Sequence, residues 1–335
     1  MYPNPDPITQ IQTLIVIPVF NDWAAVRTLL GKLDDLIVRH QMSASVLLVD
    51  DGSNVRWQES GEFAPLVAIQ RVDILCLRRN LSHQRAICVG LVYAHTHYPE
   101  SSVIVMDGDG EDKPSDIPAL MAAFAADQCR SIVFAKRQRR SESLAFRAGY
   151  AAYRYVHRVL TGHSVRFGNF SVLSPEHVSR LVVTCETWNH YAAAVVVSRI
   201  PYLLVPTERG KRLDGKSSMN TLALMVHGLS AVSVYSEVVS VRLLIAMSLL
   251  SLFCSLCIAG VIVVRLATSL AVPGWATFTT GLLVIVLLQI MTVSLFFVFG
   301  ILRDRSRPEF VPLRDCPLFV AGTYSVLVRA KAAAR

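Results

Sequence analysis

The sequence predicts an α/β domain on a mostly parallel sheet, followed by a C-terminal hairpin of two membrane-spanning helices. Three observations carry this prediction. Strand-type apolar runs alternate with segments of helical periodicity from Leu14 to Ala135, and several of the runs end in carboxylates. Two stretches, Leu243 to Val264 and Leu266 to Leu302, contain no charged residue at all. Alternating strands and helices imply a parallel sheet covered on both faces, and each uncharged stretch supplies the roughly 20 apolar residues that cross a bilayer. The hydrophobic content of 53% and mean hydropathy of +0.43 exceed those of an ordinary soluble enzyme, with the excess in the C-terminal third.

In chain order, Leu14 to Phe20 reads as a buried strand. Asn21 or Asp22 then caps a helix whose apolar positions Val26, Leu29, Leu30, Leu33, Leu36 and Ile37 recur at helical spacing. Ser45 to Asp50 is a second strand, ending in Asp50 and Asp51 before a Gly-Ser turn. Val72 to Leu77 is a third, followed by a helix from Ser82 to His95. Val103 to Met106 is the fourth and Ser131 to Ala135 the fifth. Leu144 to Leu160 reads as a basic, tyrosine-rich helix and Gly168 to Ser174 as a short strand, with a helix-like segment from Ala192 to Val197. The segment after the spans, Pro308 to Arg335, is a polar-basic tail with an apolar patch at Leu318 to Val328.

The fourth strand delivers Asp107, Asp109, Glu111 and Asp112 within six residues. In extended backbone, residues two apart face one side, so Asp107, Asp109 and Glu111 are expected to converge. Oxygen ligands this close repel unless a cation lies between them, and such a site suits Mg²⁺ or Mn²⁺. The alternative is an acidic turn capping the next helix, with Asp112 or Ser115 before Pro118. Ligands of parallel sheets bind at the carboxyl ends of the strands, which is also where Asp22, Asp50 and Asp51 fall, and this favours the metal reading.

Charge narrows the partners. The net charge is +8, and Arg130 to Arg166 holds nine Lys/Arg against one acid, Glu142. Lying before membrane spans, this basic stretch points to anionic lipid headgroups or phosphorylated substrates and not to nucleic acid. Arg242 opens the first span and Arg303, Arg305, Arg307 and Arg314 follow the second, while the connecting turn carries only Arg265. The positive-inside rule then places both termini and the large domain in the cytoplasm. Met1 to Gln10 is polar and proline-rich, with no secretory leader expected. The seven cysteines are scattered and odd in number, which is no disulfide framework.

Pro18-Val-Phe20-Asn-Asp22, Val49-Asp50-Asp51-Gly-Ser53 and Asp107-Gly-Asp109-Gly-Glu111-Asp112 together resemble the nucleotide-sugar-binding half of inverting family 2 glycosyltransferases. The basic loop Arg209-x-x-Arg212-x-x-Gly215-x-Ser217, a juxtamembrane helix over Ser218 to Ser236 and two spans make the chain similar to the polyprenyl-phosphate sugar synthases. The resemblance implies a glycosyltransferase A-type domain over residues 1–216, a juxtamembrane helix over 217–238, spans at about 243–264 and 277–302, and a cytosolic tail over 303–335. It implies a nucleotide-diphosphate sugar donor, a polyprenyl monophosphate acceptor, Mg²⁺ or Mn²⁺ as cofactor, and a nucleotide pocket lined by Pro18, Phe20, Asp22, Asp50, Asp51 and Asp107. Asp107 and Asp109 match the family's metal-binding acid pair, with Glu111 where the family usually has Gln. Arg137 and Arg140 match positions near the phosphates. Arg209, Arg212 and Ser217 match the loop that closes over the pyrophosphate and the lipid phosphate.

Asn169 stands where the family usually carries an acid. A neutral amide removes no proton, which suits a phosphate nucleophile that needs positioning and not a base. Glu142 and Glu186 are substitute bases if the acceptor is a hydroxyl. A hydroxyl acceptor and a non-catalytic membrane scaffold are the rival readings. The spans allow a homo-oligomer, and they offer too few polar groups for a flip pathway, so a separate flippase is expected. His83, Trp188 and His190 carry no assigned role at this level.

Overall fold

The computed structural model describes residues 11–61, 63–137, 158–162, 167–213, 233–268, 274–305 and 309–328. The chain divides into two compact units: Met1–Ser143, Val165–Val234 and Phe310–Arg335 form one, Leu144–Ser164 and Tyr235–Glu309 the other.

The first unit holds, in order, β1 (Gln12–Val19), α1 (Trp23–His40), β2 (Ser43–Asp50), β3 (Arg71–Leu77), α2 (His83–His97), β4 (Ser102–Val105), α3 (Ile117–Ala126), β5 (Ile132–Arg137), β6 (Ser171–Leu173), α4 (Pro175–Leu181), α5 (Tyr191–Val197), β7 (Tyr202–Thr207) and β8 (Val320–Val328). The eight strands form one sheet in the order β7-β5-β6-β4-β1-β2-β3-β8. β4, β1, β2 and β3 are parallel neighbours, as are β5 and β7. β6 runs against both β4 and β5, and β8 runs against β3.

This topology decides where the chemistry sits. β1 to β5 and β7 all end at one edge of the sheet, and the two reversed strands begin there. Residues that follow Val19, Asp50, Val105 and Thr207, and those that precede Ser171, therefore gather at one rim.

Alternation along β1 shows why the sheet needs two covers. Ile15, Ile17 and Val19 point into a core with Trp23, Leu29 and Leu33 of α1 and Leu120 and Phe124 of α3. Leu14 and Val16 point the other way, against Ile87 and Leu91 of α2, Val178 and Leu181 of α4 and Tyr191 of α5. Both faces are apolar, so a strand here reads as a continuous hydrophobic run.

The C-terminal segment is not a separate tail. Val320–Val328 extends the sheet as β8, from Leu77 opposite Val320 to Arg71 opposite Val328. Arg71 pairs with the Asp73 carboxylate at 2.8 Å, and Ser325 Oγ and Tyr98 OH donate to it at 2.6 and 2.7 Å, which is how β3 keeps a fully buried acid. Trp188 packs against Phe310 and Phe319 on the same flank, with ring centroids 4.2 and 5.2 Å away. Cys88 and Cys316 lie buried with sulfurs 4.0 Å apart.

In the second unit, α6 (Ser236–Ala267) and α7 (Trp275–Arg305) are long apolar helices packed on each other, extending past both ends of the expected spans. Phe253, Leu256 and Phe296 are 62%, 62% and 78% exposed, apolar surface of the kind a bilayer covers. Arg242 donates to the Val159 carbonyl at 2.7 Å within this unit. Arg140, Glu142, Arg147, Arg154 and Ser217 lie outside the described residues, as do most of the two helices expected over Leu144 to Leu160 and Ser218 to Ser236.

Candidate active site

The rim is built from six loops. After β1, the chain turns through Asn21 with φ 61°, and the Asn21 side chain accepts the Asn54 N–H at 2.8 Å while its own N–H donates to Ser53 Oγ at 2.9 Å. Asn21 thus pins the loop after β1 to the loop after β2. Asp22 sits at the N-cap of α1 but makes no capping bond. Its carboxylate instead receives Arg212 at 2.8 Å. Pro18 is buried in β1 and Phe20 stands 44% exposed at the rim.

Asp50 and Asp51 are both buried. Asp50 accepts the Ser53 N–H at 2.9 Å and Asp51 accepts the Leu81 N–H at 2.6 Å. Burial pushes the Asp51 carboxyl up to about 6, against the pull of the Leu81 and Ser82 N–H groups and of His83. Asp50 beside it adds to the push.

The trio of Asp107, Asp109 and Glu111 does not form as expected. The alternation rule needs extended backbone, and β4 ends at Val105. Beyond it the chain turns, with Gly110 at φ 81°, and the three carboxylates take different partners. Asp107 meets His83 Nε2 at 3.0 Å, Asp109 lies 3.7 Å from Arg212, and Glu111 pairs with Arg209. Among the described residues no group of three His, Cys, Asp or Glu is arranged to hold a metal ion. Asp107 and Asp109 remain hard oxygen donors two residues apart. That set fits a cation that keeps the rest of its shell for water and phosphate. Asp112 stitches the loop by accepting the Asp107 N–H at 2.9 Å, and the cap of α3 falls to Asp116 after a turn at Pro114–Asp116.

The loop after β7 closes onto this acidic turn. Gly210 N–H donates to the Glu111 carbonyl at 2.8 Å and Leu213 N–H to the Asp109 carbonyl at 2.9 Å. The approach requires glycine on both sides. A Cβ on Gly110 would lie 2.3 Å from Leu213 Cγ, and one on Gly210 would lie 2.5 Å from the Gly110 carbonyl oxygen. The contact brings Arg209 and Arg212 to the acids. Burial pushes Asp109 up, and Arg212 is among the groups that pull it back.

His83 and Asn169 complete the rim. Desolvation works against a charged His83 ring, but the Asp107, Asp112 and Asp109 carboxylates together outweigh it and the net shift is upward. Asn169 Nδ2 lies 3.0 Å from His83 Nε2, and Asn169 Oδ1 accepts from Gln84 at 3.1 Å. Sequence reasoning left His83 unassigned and missed Gln84, because their proximity to Asn169 depends on β6 running against β4. Arg137 ends β5 at the same rim. Glu186 is bonded by the Cys185 thiol at 3.2 Å, on the turn at Cys185–Trp188. His190 is buried and accepts the Ala193 N–H as the cap of α5.

The model described as glycosyl transferase family 2 matches residues 14–181, half of the chain. The chain belongs to glycosyl transferase family 2. The sheet domain of this family 2 member has the GT-A fold. It is 30% identical over 152 residues to YkcC of Bacillus subtilis, described as an uncharacterized glycosyltransferase, a match covering 45% of this chain and 44% of that one. It is 25% identical over 222 residues to the undecaprenyl-phosphate 4-deoxy-4-formamido-L-arabinose transferase of Erwinia tasmaniensis, covering 64% of this chain and 66% of that one. The matches therefore span less than half of the first relative and just under two thirds of the second. Among solved structures, the glucosyl-3-phosphoglycerate synthase of Mycobacterium tuberculosis in complex with Mn²⁺, UDP-glucose and phosphoglyceric acid aligns at a TM-score of 0.46 and 11% identity, over 69% of this chain and 80% of that one.

Proposed function

We propose that the protein is a membrane-anchored inverting glycosyltransferase that moves a hexose from a nucleotide-diphosphate sugar to a polyprenyl monophosphate. The observation that carries this reading is the placement of Arg212 between Asp22 and Asp109, at 2.8 and 3.7 Å, with Arg209 on Glu111 beside it. Two guanidinium groups and an acid pair at one strand end form a site for a pyrophosphate and its counter-cation. Relatives named as undecaprenyl-phosphate sugar transferases, and two helices long and apolar enough to cross a membrane, support the lipid acceptor.

In this reading Pro18, Phe20, Asp22, Asp50 and Asp51 line the nucleotide pocket. Asp107 and Asp109 hold Mg²⁺ or Mn²⁺, which when bound supplies charge neutralisation at the donor phosphates. Arg137, Arg140, Arg209, Arg212 and Ser217 bind donor and acceptor phosphates. Arg209 and Arg212 exchange their carboxylate partners for phosphate oxygens as the donor enters. The lipid phosphate is largely dianionic at neutral pH. It attacks the anomeric carbon opposite the leaving nucleoside diphosphate, which inverts that carbon and needs no base. The catalytic domain and both termini face the cytoplasm, with 243–264 and 277–302 crossing the bilayer. The spans allow a homo-oligomer, and export of the product falls to a separate flippase.

The test is a panel of labelled UDP- and GDP-sugars with polyprenyl phosphate, diacylglycerol or a lipid-linked saccharide, using full-length protein in nanodiscs. Transfer to the polyprenyl phosphate with one donor is expected. Transfer to either hydroxyl lipid in its place would replace this reading.

A further inference from the structure

Asn169 and Gln84 belong to a hydrogen-bond relay whose direction is set at one end by a group that can only donate. The Tyr191 backbone N–H donates to Gln84 Oε1 at 2.8 Å. Gln84 therefore offers its Nε2 to Asn169, whose Oδ1 accepts at 3.1 Å. The Asn169 –NH₂ is left facing His83 Nε2 at 3.0 Å, beside Asp107.

A second chain of bonds holds the base of the relay. Ser171 Oγ donates to the Asn169 carbonyl at 2.8 Å, so its lone pairs take the Tyr191 hydroxyl, 2.7 Å away. Tyr191 is fully buried, and burial pushes its hydroxyl well above the usual tyrosine range, so the proton stays in place. Gln84 is buried as well, whereas Asn169 is half-buried at the rim. The Asn169 amide nitrogen lies 3.0 Å from His83 Nε2, the same nitrogen that meets Asp107, and the Asn169 –NH₂ has no other partner among the described residues.

We propose that Asn169 is a fixed N–H donor to an anionic oxygen of the acceptor, a phosphate monoester, and that Gln84 is the positioning residue that keeps its –NH₂ end toward the site. This rests on the transferase reading above and deepens it. An amide –NH₂ donates to phosphate oxygens but takes up no proton. The position is therefore set for a nucleophile that arrives already charged. Were the amide reversed, its carbonyl oxygen would face the phosphate and repel it. The buried Tyr191–Gln84 bond prevents that reversal.

The experiment uses full-length protein in nanodiscs with the donor that turns over and polyprenyl phosphate, comparing Gln84→Glu and Asn169→Asp with wild type. Glutamate still accepts the Tyr191 N–H but cannot donate to Asn169, so the amide turns over. Its KM for the lipid phosphate is expected to rise about tenfold or more, with KM for the nucleotide sugar unchanged. Asn169→Asp sets a like charge against the acceptor and is expected to do the same, more strongly. If Gln84→Glu fails to fold, Asn169→Asp, at a half-exposed position, decides alone. Wild-type transfer to polyprenyl phosphate with Asn169→Asp equally or more active overturns this inference and leaves the transferase reading intact. Equal rises in both KM values for Gln84→Glu, with a lowered thermal midpoint, reduce Gln84 to a structural role and overturn it too. Wild-type transfer only to hydroxyl acceptors removes both readings.

Discussion

Arg212 donates to Asp22 at 2.8 Å, joining two residues that are 190 positions apart in the chain. The same guanidinium lies 3.7 Å from Asp109, so one side chain links the loops after β1, β4 and β7. Arg212→Ala is expected to lower the rate of sugar transfer by about 10²–10³-fold, the usual loss when a donor to developing negative charge is removed. Arg212→Lys restores little, because an ammonium cannot bridge two partners in one plane. Steady-state rates with saturating donor check both. A variant that keeps wild-type turnover would make this contact purely structural.

Gly110 permits the closure that places Arg212. In Gly110→Ala the new Cβ meets Leu213 at a position 2.3 Å from its Cγ, and φ stays at 81°. The loop after β7 must lift, at a cost of about 1–3 kcal/mol. Transfer should fall at least as far as nucleotide affinity does. Titration calorimetry with the nucleoside diphosphate, alongside the rate, separates closure from global unfolding.

Asp51 gives the protein a pH signature. Its carboxyl titrates at about 6 when folded, against 3.8 for the free group. The folded state binds the extra proton between these values. The stability from this group is therefore complete below 3.8 and is lost as pH rises through about 6. Asp51→Asn removes the buried charge and is expected to stabilise the fold at pH 8 by on the order of 2 kcal/mol, with little effect at pH 4. Thermal midpoints at the two pH values test this, and an equal loss at both would contradict it.

Ser82 precedes α2 with φ 80° and ψ 156°, a region that suits glycine. Its exposed side chain makes no capping bond, whereas its carbonyl accepts from Arg85 and Ala86. Ser82→Gly is expected to stabilise the protein by about 1 kcal/mol without changing the nucleotide affinity. Chemical denaturation midpoints decide it, and a destabilised variant would show that the backbone is not strained there.

Much of this architecture was legible in the residues. The runs at Leu14, Ser45, Val72, Val103 and Ser131 are buried on both faces and so carry an unbroken apolar signal, and Leu243 to Leu302 could be read by length alone. β7 and β8 were not foreseen as strands. They lie at the sheet's edges, where Tyr202, Leu203, Leu204 and Tyr324 stay exposed and the apolar pattern breaks down. β8 also pairs with a strand some 250 residues earlier, as in the hydrogen bond from Ser325 to Asp73, and no local signal reports such a partner. The acids were identifiable by type and spacing. Their grouping was not, because alternation was carried past Val105, where the strand stops. The link from Gln84 to Asn169 needed the reversed β6, which no periodicity encodes.

In the proposed reaction the acidic turn, with a divalent cation, activates a nucleotide sugar for attack by a lipid phosphate. The most direct measurement is the rate at which labelled sugar enters the organic phase with polyprenyl phosphate, for wild type and Asp109→Asn, each with and without EDTA. Wild-type transfer that EDTA abolishes, and that Asp109→Asn lowers by about 10²-fold or more, is the predicted result. Transfer that survives both EDTA and the substitution would contradict the account.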